Sequence, residues 1–84
     1  ANEQLVIPAG VRFTIQKDGV SIEYAGDIVL QGDHEDPVAR VVSHEGSVMI
    51  QGRMRVGLVS SEQGSVTLDG EVKGVVSSRH VTLS

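Results

Sequence analysis

Apolar and polar positions alternate along this chain with a period of two, in short runs bracketed by glycine, and the runs repeat. Gly26-Asp27-Ile28-Val29-Leu30-Gln31-Gly32, Gly46-Ser47-Val48-Met49-Ile50-Gln51-Gly52 and Gly64-Ser65-Val66-Thr67-Leu68-Asp69-Gly70 share the pattern G-x-[IV]-x-[IL]-x-G. The first two copies start 20 residues apart and the last two 18. A period of two marks a strand with one buried face. The β-branched residues suit a pleated, half-buried surface, and glycine turns corners at positive φ without steric cost. A second motif recurs between the copies, as Val41-Val42-Ser43, Leu58-Val59-Ser60 and Val75-Val76-Ser77. Val81-Thr82-Leu83 then repeats Val66-Thr67-Leu68 and opens a further coil.

One such coil cannot bury its inward face, but stacked coils can. The pattern therefore predicts an all-β fold, a short β-solenoid of about three coils of roughly 18 residues over 26–84. Ile28, Val48 and Val66 are expected to lie over one another, as are Leu30, Ile50 and Leu68. The 18-residue step also sets Arg53 beside Glu71 and Arg55 beside Lys73. An antiparallel meander is the rival arrangement, but it does not require turns and strands to repeat together. Helix is opposed by the β-branched runs, the ten glycines and the lack of an i, i+3, i+4 stripe.

Residues 1–25 depart from the repeat. Val11, Phe13 and Ile15 alternate, a turn at Gln16–Gly19 follows, and Val20, Ile22 and Tyr24 alternate again. This spacing predicts a β-hairpin over the first coil, with Phe13 at the mouth of the core. At the other end Val81 and Leu83 stand on a strand with no polar turn or helix after it. Such an edge either continues in a longer protein or is a template for pairing with another chain; on the second reading Val81, Leu83, Val66, Leu68 and Phe13 are the expected assembly interface. The two extra residues of the first step fall in Asp33-His34-Glu35-Asp36-Pro37. That loop, with His44-Glu45, could hold a cation, but it lacks the spaced ligands of a calcium loop and reads as a solvated acidic corner. No metal site is assigned.

Composition narrows the functions. The chain has no Trp, one Phe and one Tyr among its 84 residues, so stacked aliphatic side chains must fill the core. A net charge of −4 without a basic run opposes nucleic-acid binding, and aromatic stacking platforms are absent. No apolar run approaches the ~20 residues of a membrane helix. The lack of cysteine suits a cytoplasmic protein, with any membrane association made through partners. The serines recur at repeat positions, as corner residues do, and no nucleophile–base pair or phosphate-binding glycine loop is present. A six-residue spacing like that of hexapeptide-repeat acyltransferases would link Val48, Met54, Ser60, Val66, Val72 and Ser78, but it slips between Gly57 and Gly74. No enzyme and no cofactor are expected.

Residues 26–84, above all Gly46–Gly52 and Gly64–Gly74 followed by Val75-Val76-Ser77-Ser78, resemble the bactofilins, bacterial polymer-forming cytoskeletal proteins. The short step Gly70-Glu71-Val72-Lys73-Gly74 is similar to theirs. The resemblance implies a right-handed β-helix of triangular section that polymerises end to end without nucleotide and serves as a scaffold. This chain has fewer coils and an atypical N-terminal segment. The function expected is a self-associating structural module. Its rivals are a monomeric β-helix module of a larger bacterial protein that binds a protein or ion, and a trimeric spike in which three chains share a core.

Overall fold

The computed structural model describes residues 4–8, 10, 19–34, 37–78 and 80–83. Strands β1 (Gln4–Ile7), β3 (Asp27–Gln31), β5 (Val48–Gln51), β7 (Ser65–Asp69) and β9 (His80–Leu83) form one sheet in that order. Strands β2 (Ser21–Tyr24), β4 (Val38–Ser43), β6 (Met54–Ser61) and β8 (Val72–Ser77) form the second. Every pairing is parallel, and the chain alternates between the sheets. This is a β-solenoid and excludes the antiparallel meander. Its three repeat coils run from β3 to β8. The described residues contain no helix, and none long and apolar enough to cross a membrane.

The expected columns form as the repeat requires. Ile28 pairs with Val48 and Val48 with Val66, while Leu30 pairs with Ile50 and Ile50 with Leu68. All six are buried, so the core is a set of aliphatic ladders running along the solenoid. Within β6 the buried positions change phase, from Met54 and Val56 to Val59 and Ser61. A strand of period two cannot make that change without a corner. β4 does the same between Val38 and Val41, so each coil has three sides.

Three columns of corners hold these sides together. At the first, Gly32, Gly52 and Gly70 have φ of 75°, 120° and 127°. A Cβ on Gly70 would run into the carbonyl of Gly52, and one on Gly52 into that of Gly32. The second is a stack of small residues, where a Cβ on Gly57 would meet the Ala39 carbonyl and one on Gly74 that of Val56. There the register shifts: Arg55 pairs with Lys73 and Leu58 with Val75, so Val56 and Gly57 together face Gly74. That bulge is the slip seen between Gly57 and Gly74 in the sequence.

Leu58-Val59-Ser60 pairs with Val75-Val76-Ser77 as the Val-Val-Ser motif requires, but the third corner corrects the alignment of its first copy. Val41 pairs with Val59, Val42 with Ser60 and Ser43 with Ser61. Ser43 therefore matches Ser61 rather than Ser60. The reason is chemical. Ser43 Oγ donates to the Gly26 carbonyl at 2.6 Å and accepts the Gly46 N–H at 3.0 Å. Ser61 Oγ repeats both bonds with Gly46 and Gly64, at 2.7 and 3.0 Å. Ser78 Oγ donates to the Gly64 carbonyl at 3.2 Å. Ser43 and Ser61 are buried polar residues that satisfy corner backbone groups which would otherwise be stranded.

The described residues among the first 25 join this pattern more than the sequence suggested. β1 is a rung against β3 and β2 a rung against β4, both in register. Residues 20–24, expected as one arm of a hairpin, contain β2. The other arm (Val11, Phe13 and Ile15) and most of the turn lie outside the described residues.

Candidate functional site

Of the expected assembly residues, Val66 and Leu68 are core: they are 0% and 6% exposed beneath their own coils. Val81 belongs to the same inward column, paired with Val66, yet is 46% exposed because no described residue covers it. Leu83 occupies the register position over Leu68 in β9. Phe13 lies outside the described residues. The structure thus sets Val81 and Leu83 together on the last described rung, above Val66 and Leu68. At the opposite edge, Leu5 and Ile7 of β1 are half-buried against the core.

The second candidate is a cavity of about 320 Å³ lined by Asp33, His34, Arg53, Met54, Arg55, Glu71 and Lys73. It lies where the repeat is broken. Gln31 pairs with Gln51, a step of 20 residues, whereas Val38 pairs with Val56, a step of 18. The two extra residues therefore sit in the loop between β3 and β4, as the sequence indicated.

The backbone fixes the arrangement of the lining. The N–H of His34 donates to the Arg53 carbonyl and that of Met54 to the Glu71 carbonyl, both at 2.9 Å. These equivalent bonds place His34 and Met54 at the same position of successive coils, and Met54 pairs in turn with Val72. His34 is consequently an inward residue, only 4% exposed. The expectation of a solvated corner fails at this residue, because the extra chain is accommodated after His34 and leaves it in phase with the core. The preceding position forms a column of alternating charge. Asp33 Oδ1 accepts the Arg53 backbone N–H at 2.9 Å, and Arg53 Nε lies 3.3 Å from Glu71 Oε2. The expected Arg53–Glu71 neighbours are present, although both side chains are largely exposed and such a pair contributes little.

Arg55 and Lys73 form the next position outward. They are direct partners on adjacent parallel rungs, as expected, and both are exposed. His44 does not join this group. It follows β4, whereas His34 precedes it, so the two histidines stand at opposite ends of that strand. His44 Nδ1 instead faces Glu62 Oε2 at 3.5 Å. No group of three or more metal-ligating side chains occurs among the described residues. The sequence reading missed the cavity itself. Its signal was available: the 20-residue step against the 18-residue steps marks where the wall opens.

No family model matches the chain, and no curated protein and no solved structure matches it.

Proposed function

We propose that this chain is a structural self-assembly module, bactofilin-like in its mode of action, that oligomerises through its terminal rungs rather than by catalysis. The observation that carries the reading is Val81, an inward residue left 46% exposed where its column partners Val66 and Val48 are 0% and 1% exposed. A parallel strand edge also carries a row of unpaired N–H and C=O groups suited to pairing with another strand. A second copy placed head to tail brings β1 to β9 in the register already used inside the molecule. Leu5 then falls at the position of Val81 and Ile7 at that of Leu83. The two edges are different surfaces, so the contact is heterologous and propagates into a filament unless the rotation closes it. The aliphatic columns are buried within a single chain, which favours this reading over a spike with a core shared by three chains.

Sedimentation and electron microscopy at neutral pH test the proposal. Assemblies larger than one chain are expected, and Val81→Lys or Leu83→Lys disperses them. A monomer at high concentration, unchanged in size by either substitution, overturns it.

A further inference from the structure

We propose that the free edge of β8 is a strand-addition site, which takes an extended peptide segment in parallel register as a further rung of the second sheet. The site lies on a single copy of the chain and does not depend on assembly.

Strand count and burial make the case. The first sheet has five strands and the second four, so β9 runs one rung beyond β8, the last described strand of its own sheet. An inward side chain is covered from two directions, by the rung stacked on it and by the opposite side of its own coil. Val81 has neither cover among the described residues and is 46% exposed. Val72 and Val76 stand at the same edge. Both are only partly buried, whereas Met54 and Val59, their partners in β6, are 1% and 0% exposed. A strand laid on β8 covers Val72 and Val76 and closes the coil across from Val81.

The backbone is set for such a strand. The N–H groups of His34 and Met54 donate to carbonyls of the next coil, at Arg53 and Glu71. Val72 pairs with Met54, so its N–H points off the edge, toward the next rung. Parallel addition to an edge supplies main-chain hydrogen bonds, and alternate side chains supply specificity. The existing rungs define the segment that fits. Met54 over Val72 and Val59 over Val76 require aliphatic residues at both inward positions. The corner between them admits no side chain: a Cβ on Gly57 would meet the Ala39 carbonyl, and one on Gly74 that of Val56. Ser61 and Ser78 close the far corner through the Gly46 and Gly64 carbonyls. The segment is therefore aliphatic-x-Gly-x-aliphatic-x-Ser, the pattern of Val72–Ser78 itself. If a second copy stacks β1 on β9, its β2 stands two rungs from β8, about 9.6 Å, which leaves room for one such strand.

Fluorescence anisotropy with a labelled synthetic peptide copying residues 71–78 tests the site, and amide hydrogen exchange locates it. Saturable binding is expected, with slowed exchange of the Val72 N–H. Peptides carrying Lys73→Pro, which removes an N–H that would face β8, or Gly74→Val, which would meet the corner carbonyl, bind about tenfold or more weakly. Both changes leave the protein itself untouched. The proposal is overturned by no saturable binding, by equal affinity of either altered peptide, or by binding that leaves Val72 exchange unchanged. Slow Val72 exchange before any peptide is added also overturns it, because a second copy then covers the edge. Sedimentation of the same samples reads assembly separately: a failed titration leaves the contact between β9 and β1 standing, and a monomeric chain leaves the β8 site standing.

Discussion

Two corners of the same coil differ in how they treat the repeat. At the serine corner, Ser43 and Ser61 each bridge a carbonyl of one coil to an N–H of the next turn, with the same partners one coil apart. At the corner between β3 and β4, two extra residues interrupt the spacing, and a cavity lined by charged side chains opens beside them. The comparison separates two uses of polar residues. Where a polar residue recurs at every coil and is buried, it closes backbone hydrogen bonds. Where the spacing breaks, charged side chains converge at the surface instead: Asp33 accepts the Arg53 N–H, and Arg53 in turn faces Glu71.

The largest effects are expected in the columns behind these corners. Ile50→Ala opens a void in a fully enclosed ladder and should destabilise by about 2–5 kcal/mol in chemical denaturation. Met54→Ala, also buried but bordering the cavity, is expected toward the low end of that range, because the emptied space joins an existing opening that water can enter. Equal losses would mean that the cavity does not relieve the column beneath it.

Next in size is the serine corner. Ser61→Ala leaves the Gly46 carbonyl and the Gly64 N–H without their partner, a loss of about 1–3 kcal/mol. Ser60→Ala, one residue away and only half-buried, should stay within about 0.5 kcal/mol. The pair of measurements distinguishes the observed register from the one in which Ser43 matches Ser60; similar losses at both positions would contradict the hydrogen-bonded ladder.

How much of this was legible beforehand follows from the same contrast. The strands of the first sheet keep alternation, flanking glycines and spacing together, so the columns through Ile28 and Leu30 and the parallel stacking could be read directly. The second sheet was harder. The bulge facing Val56 and Gly57 against Gly74 shortens one step, and a motif as plain as Val-Val-Ser slides by one residue without losing its apolar match. Only the hydrogen bonds of Ser43 and Ser61 fix it. His34 was misjudged because its neighbours in sequence are acidic, whereas its place is set by Met54 and Val72 in the adjoining coils. β1, and the place of the Val20–Tyr24 strand as a parallel rung, were hidden because the early rungs lack the G-x-[IV]-x-[IL]-x-G frame. The cavity could not be seen as a shape, since an insertion can lie flat or project with the same residues.

The smallest effect sharpens the comparison most. Lys73→Glu replaces a like-charged neighbour of Arg55 with an opposite one at a position exposed to solvent. The cross-strand term changes from opposing to favouring the fold, and exposed pairs of this kind contribute about 0.2–1 kcal/mol. A modest rise in stability is therefore expected, and it should shrink as salt is added because the interaction is screened over about 10 Å at 0.1 M. The corresponding exchange at the neighbouring column, Glu71→Lys, places a cation beside Arg53 and should act in the opposite sense by a similar amount. If Lys73→Glu instead destabilises, Lys73 already has a favourable environment beside Arg55. The broken corner would then be another structural one, serving the fold as the serines do.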